Sequence, residues 1–327
     1  MSSLQGKKIL FFAPKFFGYE LAIKKELEQQ GAIVHLYDER GNPSSLEKII
    51  IRKFSFFIKS KIYNYYKEII DSEKKNSPDY VFFLSPETVT KECIDMLKLV
   101  FPAAKFILYM YDSLRNKNAR YVYKLFDRCL SFDFVDCKNF GFVFRPLFFM
   151  NSFEPKKKVL EYKYDFCFIG TIHSDRAKIL YQLKEQFDAN SFSYFYYLYI
   201  PGKLMYILRW ILDKYVRKFK KIYTVSIDKS EVSEISERSR YIIDINHPSQ
   251  IGLTMRTIEM LGLKRKLLTT NENIKDYDFY RPENQIVISR KNICIPINDV
   301  TDKYKTIDDK IYNSYSLSSW ILQVFDL

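Results

Sequence analysis

The stretch YDFCFIGTIHSDRAKILYQLKEQ, Tyr164 to Gln186, opens on an apolar run and closes on a helical pattern. Tyr164–Ile169 predicts a buried strand, Gly170 ends it, a polar turn follows, and Asp175–Gln186 carries the 3.6-residue period of a helix. Strand, short turn and helix in that order form half of a βαβ unit. A helix start presents unpaired N–H groups and about half a positive charge, so an anion can sit on it, and Gly170 lets the backbone come close. Thr171, His173 and Arg176 add side-chain donors. The same residues also suit a plain strand–turn–helix with Ser174 or Asp175 as the N-cap.

Working outward, the alternation continues on both sides. Downstream come strand-like Phe192–Tyr199, Ile222–Val225, Tyr241–Ile245 and Lys266–Thr270, with a helix over Leu253–Leu261 and a helical end over Asp308–Phe325. Upstream, Lys8–Ala13, Ile33–Tyr37, Tyr80–Leu84 and Lys105–Tyr111 read as strands, between helical Glu20–Gln30 and Glu87–Val100. Near-continuous apolar strands separated by amphipathic helices predict parallel sheets covered on both faces. The pattern stops in NSFEPKKKVLEYK, residues 151–163, which reads as a linker. The expectation is an α/β chain with two Rossmann-like, doubly wound parallel-sheet domains facing across a cleft: an N-terminal domain over residues 1–152, a C-terminal domain over 153–305, and a C-terminal helix over 306–327 that packs back on the first domain.

The 327 residues, 47% hydrophobic and 28% charged, are enough for two cores and argue against long disordered tails. The formal net charge of +13 is shared by both halves and suits a polyanionic partner: nucleic acid, an anionic membrane or a phosphorylated substrate. No apolar run has the length to span a bilayer; the richest, Phe140–Met150, is interrupted by Arg145 and Pro146. The start KKILFFAPKFF reads as a first strand, not a signal peptide. Cys93, Cys129, Cys137, Cys167 and Cys294 show no CxxC pairing and read as reduced core thiols of a cytoplasmic protein.

A second constellation lies in DINHPSQIGLTMRTIEMLGLKRKLLTT, Asp244 to Thr270. A strand ends in a polar loop containing His247, Gly252 precedes a helix entered through Leu253 and Thr254, and Arg256 and Glu259 share a face of it. A cation there meets a diphosphate while the carboxylate accepts from ribose hydroxyls. An ordinary i, i+3 salt bridge is the other reading. Gly170 after its strand, then Gly252-x-x-x-Arg256-x-x-Glu259 and Gly262 before LLTT, resembles the carboxy-terminal half of GT-B glycosyltransferases. The variety it looks most like is the CgeB-like family, with related lipopolysaccharide and capsule transferases. The resemblance covers roughly residues 160–300 and implies a nucleotide-sugar donor, UDP first, held by Gly170, Thr171, Arg176, His247, Gly252, Leu253, Thr254, Arg256 and Glu259, with His173 beside the chemistry. Many retaining relatives carry two glutamates separated by seven residues, and counting back from Glu259 puts Ile251 where the first should stand, so the stereochemical course is left open.

In that fold the acceptor and the base belong to the first domain. Asp112 closes the strand FILYMY and is the candidate base, with Asp133 and Asp136 as a second pair; Phe17, Gly18, Tyr19 and Asp133 are candidates for the acceptor side. His35 lies within a strand and reads as structural. No carboxylate or Cys/His cluster has metal-ligand spacing, so backbone amides and Arg256 would neutralise the leaving group without a metal, and no cofactor is expected.

Lys203–Lys221 places Leu204, Ile207, Leu208, Ile211, Leu212, Tyr215 and Phe219 on one helical stripe among seven Lys or Arg, with Asp213 the only acid. Such a helix either lies in a bilayer interface or packs its stripe on the core. Residues 51–67 have similar composition. With no zinc knuckle, RNP-like strand or recognition-helix pair, nucleic acid is not the expected partner. The sequence therefore predicts a metal-independent, hexosyltransferase-type enzyme of the cytoplasm, peripheral to the inner face of the cell membrane. It would move sugar to a lipopolysaccharide, capsule or exopolysaccharide acceptor. A nucleotide-sugar epimerase of the same fold, or a non-enzymatic polyanion or nucleic-acid-binding protein, are the alternatives.

Overall fold

The computed structural model describes residues 4–16, 18–41, 59–115, 119–155, 161–300 and 303–327. Within them the chain forms two units, Met1–Pro146 with Leu317–Leu327, and Leu147–Ser316.

In the first unit, β1 (Lys8–Phe12), α1 (Tyr19–Gln29), β2 (Ile33–Tyr37), α2 (Lys59–Glu73), β3 (Tyr80–Leu84), α3 (Lys91–Val100), β4 (Lys105–Met110), β5 (Arg128–Ser131), α4 (Phe134–Phe140) and β6 (Val143–Phe144) follow one another. The strands form one sheet in the order β2-β1-β3-β4-β5-β6, every pair parallel. Alternate strand residues point to opposite faces, and both faces are covered, which is why the strands are apolar at nearly every position. Leu10, Phe12, Val81, Phe83, Phe106 and Leu108 pack with Ile62, Tyr66, Ile69 and Ile70 of α2 and with Cys93, Ile94 and Leu97 of α3.

The second unit runs β7 (Tyr164–Thr171), α5 (Arg176–Ala189), β8 (Tyr194–Tyr199), α6 (Lys203–Leu212), α7 (Lys229–Glu237), β9 (Ser239–Asp244), α8 (Met255–Gly262), β10 (Lys266–Thr269), β11 (Gln285–Val287) and α9 (Asp309–Ser314). Its five strands are ordered β8-β7-β9-β10-β11, again all parallel. The last helix, α10 (Leu317–Phe325), covers the other face of the first sheet: Trp320 lies 4.7 Å, centroid to centroid, from Tyr109, and Phe325 5.4 Å from Phe82, which stacks on Phe11.

In each sheet the first strand sits between the second and the third, so the chain reverses its direction of winding there. The crevice outside the carboxyl ends at such a switch point is where open α/β sheets bind ligands. In the second unit that point is β7/β9, and in the first β1/β3.

Some expectations need correction. Ile222–Val225 is not a strand: Tyr223 alone bridges Tyr199, through its N–H to Leu198 O and its carbonyl to Ile200 N. The helix expected from Leu253 starts at Met255, because the Thr254 hydroxyl accepts from Thr257 N as an N-cap. Asp308–Phe325 is two helices, broken where Ser316 bridges Phe149. Cys294 is exposed and so is not a core thiol, whereas Cys93 and Cys167 are buried.

Candidate functional site

At the switch point of the second unit, β7 ends in Gly170 and Thr171 and β9 ends in Asp244, followed by Ile245 and Asn246. Arg176, the first residue of α5, ties the two strand ends together: its Nε donates to Ile245 O at 2.7 Å and Nη1 to Thr171 O at 2.9 Å. Burial, first of all, pulls this guanidinium down to about 10, with Asp244 acting against the shift and Arg256 and Arg290 adding to it. Arg176, expected to reach a phosphate, is instead a brace between strands. A Cβ on Gly170 would stand 3.2 Å from the Phe168 ring, a tight approach, and 3.8 Å from Arg176 Nη1, an ordinary contact, so it is the Phe168 ring that Gly170 leaves room for.

Sequence reasoning missed Arg290. Its Nη1 donates to both carboxylate oxygens of Asp175, at 2.8 and 2.7 Å, and its Nη2 donates to Asn246 Oδ1 at 2.7 Å and to Asn246 O. Asn246 also accepts from the Thr270 hydroxyl at 2.8 Å and donates to Gln250 O at 2.9 Å. Only its position shortly after a strand marks Arg290 in the sequence; its partner Asp175 lies 115 residues away.

The loop into α8 is held by its carbonyls. Asn271 Nδ2 donates to Ile251 O and Gly252 O, Asn273 Nδ2 to Ile251 O, and Gln250 Nε2 to Gly252 O. Buried Asp244 accepts from both Thr254 and Thr257 hydroxyls at 2.8 Å, which fixes the first turn of α8. Among the described residues, the N–H groups of Gly252, Leu253, Thr254, Met255 and Arg256 donate to no protein acceptor. Half-buried Arg256 makes no hydrogen bond or ion pair among these residues and so does not form the i, i+3 bridge to Glu259, which is buried on the same helix. This edge can therefore receive an anion: it offers backbone donors at a helix start and, in the first turn of that helix, a guanidinium with no hydrogen bond or ion pair among the described residues.

His173 and His247 come together here, their rings 5.7 Å apart at 35°. Burial, then the charges of Arg176 and His247, press His173 down to about 4, so its ring is neutral near neutral pH. It exchanges a hydrogen bond with Ser174 at 3.2 Å, and exposed His247 one with Ser249 at 2.7 Å. Gly262, matched as part of the motif, lies at the far end of α8. A Cβ there would fall 2.7 Å from Phe149 Cγ and from Phe153 O. Its role is close packing.

In the first unit, Asp112 follows β4 and is half-buried, with Oδ1 accepting from Ser113 N at 2.9 Å. Beside it Tyr111 meets Tyr19 (5.8 Å) and Phe16 (5.7 Å), so an aromatic cluster joins the carboxyl ends of β1 and β4. Gly18, at φ 74°, caps α1. Phe17 lies outside the described residues. Asp133 does not wall an acceptor site: it is 2% exposed and caps α4 by accepting from Val135 and Asp136 N–H. Its neighbour Asp136 accepts from Leu114 N at 2.8 Å, and burial raises its carboxyl. His35, on β2, bonds the Glu73 carboxylate at 2.6 Å. Among the described residues no group of His, Cys, Asp and Glu is arranged to hold a metal ion.

No family model matches the chain, and no curated protein does. Solved structures do match along the whole chain. HepE (Alr3699) of Anabaena in complex with UDP-glucose is 8% identical, with a TM-score of 0.64 and 98% of each chain covered. The apo lipopolysaccharide outer core galactosyltransferase WaaB is 12% identical, with a TM-score of 0.55, 98% of this chain and 99% of that one covered. The UDP-GlcNAc 2-epimerase of Methanocaldococcus jannaschii, in complex with UDP-GlcNAc and UDP, is 13% identical, with a TM-score of 0.53 and the same coverage. Two parallel sheets of six and five strands with this full-length likeness define the GT-B fold, and the glycosyltransferases among its neighbours are built on it.

Proposed function

We propose that the protein is a glycosyltransferase that moves a hexose from a nucleoside-diphosphate sugar, UDP first, to a bacterial surface glycan. One observation carries this reading: N–H groups of residues 252–256 and an Arg256 guanidinium, none with a protein partner among the described residues, stand after β9 at the switch point of the second sheet. The donor diphosphate lies on that edge, held by the amides and the guanidinium, with Glu259 on the ribose, the neutral His173 ring as a donor and His247 beside it. In the reaction the anomeric C–O bond to the β-phosphate breaks, its electron pair leaving with the diphosphate, while the acceptor oxygen bonds the anomeric carbon. Asp112 takes the acceptor proton. Oriented amides and Arg256 stabilise the leaving charge with no metal needed. Undiminished turnover in EDTA is the expected result, and metal-dependent turnover would contradict this part.

A thermal-shift panel of UDP-, GDP-, ADP-, TDP- and CMP-sugars tests the donor, since a ligand at about a hundred times its Kd stabilises by about 2.7 kcal/mol. One sugar nucleotide should raise the melting temperature; a flat panel contradicts the reading. The epimerase among the structural neighbours keeps a second reading alive. An epimerase converts the donor with no acceptor present, whereas a transferase yields a new glycoside only with one.

A further inference from the structure

Helix α6 is built the wrong way round for a core helix. None of its ten residues is buried, and Leu204, Met205, Ile207, Leu208, Trp210, Ile211 and Leu212 stand between 45% and 81% exposed. Its anchor is Tyr206, which packs on the core of the second unit together with Tyr215, Val216 and Phe219 from the segment that follows. The helix expected over residues 203–221 ends at Leu212, and its stripe divides: Leu204, Ile207, Leu208, Ile211 and Leu212 face outward, while Tyr215 and Phe219 turn to the core. Arg217 fastens the far end, donating to the carbonyls of Trp210 and Ile211 at 3.1 and 2.9 Å with its guanidinium over the Trp210 ring.

Charge says what covers this face. Lys203, Lys214, Arg217, Lys218, Lys220 and Lys221 are exposed around it, and Asp213, the only acid in residues 203–221, is paired with Arg209. Exposed apolar side chains flanked by cations match the interface of an anionic bilayer, where the apolar groups enter the acyl boundary and each cation meets a headgroup. A second copy of this chain, itself basic, lacks that complementarity, and an acidic protein surface lacks the acyl boundary that seven exposed apolar side chains can enter. We propose that α6 and residues 213–221 form a docking surface for an anionic lipid bilayer. The described part of the other basic aromatic segment does not share this role: Ile62 and Tyr66 of α2 are buried in the first core. Residues 51–58 lie outside the described residues.

The test uses the full chain with no donor or acceptor, so its outcome is independent of the transferase reading. Vesicles of equal parts phosphatidylcholine and phosphatidylglycerol are compared with phosphatidylcholine alone by co-sedimentation. Emission of Trp210 is recorded above the constant signal of buried Trp320. Binding to the anionic vesicles with a blue shift of Trp210 is expected. Ile207→Asp with Ile211→Asp should weaken it about ten-fold or more, and Lys214→Gln with Lys218→Gln several-fold, while circular dichroism and the melting temperature stay at wild-type values. The charge variant keeps the apolar stripe intact, so it decides the matter if the aspartate variant fails to fold. Equal binding to both vesicle types, no binding to either, unchanged binding by folded variants, or a Trp210 shift that follows protein concentration without lipid would each overturn the proposal.

Discussion

Arg176 and Arg256 look alike in the sequence, each near a helix start after a strand, and the fold gives them opposite duties. Arg176 donates to two strand-end carbonyls from a half-buried position, while Arg256 keeps its donors. Arg176→Ala should therefore cost about 2–4 kcal/mol of stability, from buried carbonyls left without a donor. Arg256→Ala should stay within about 0.5–1 kcal/mol of wild type; urea midpoints of the two variants check both. Glu39 was not singled out by sequence reasoning. Fully buried, it accepts from Glu87 N, Thr88 N and the Thr88 hydroxyl, and burial pushes its carboxyl up to about 7. A carboxyl raised in the folded state contributes stability below its unfolded value of about 4.5 that is lost as pH rises through about 7, on the order of 3 kcal/mol. The urea midpoint of the first unit, followed through Trp320 in a Trp210→Phe background, should fall between about pH 5 and about pH 7.5. In Glu39→Gln that slope should shrink, and a slope unchanged by the substitution would assign it to another group.

At the scale of the element, what the sequence made legible depended on length and cover. The long apolar strands β1, β3, β4 and β7 were readable because helices bury both of their faces. Short strands such as β5, β6 and β11, of four, two and three residues, carry too few positions for any period to show. The run Ile222–Val225 has strand composition but finds a partner at one residue only. Amphipathicity exposed the stripe of α6, yet its direction depends on Tyr206 being the anchor, which no spacing reveals. In α8, Gly262 is held by shape: with a Cβ 2.7 Å from a backbone carbonyl, Gly262→Ala forces the helix away from residues 149–153 and should cost about 1–3 kcal/mol. A melting temperature equal to wild type would mean that this contact yields freely.

For the whole molecule, two parallel sheets with the same winding reversal followed from the alternation of strands and helices. The grouping of the residues of the proposed donor edge followed in part. Gly170, His173, His247, Gly252 and Arg256 do gather at β7/β9, because the residues after parallel strands all emerge on one side of the sheet. Arg290, Asn246 and Asn271 escaped because their partners are distant in sequence and their contacts exist only once the sheet has formed. The most direct test of the diphosphate reading is calorimetric titration of UDP into wild-type protein and Arg256→Ala. Wild type should bind, and the variant, at an unchanged melting temperature, should bind at least about ten-fold more weakly, as expected for loss of a charge-assisted contact. Equal affinity in the two proteins would remove Arg256 from the anion site and leave the proposed donor edge without its cation.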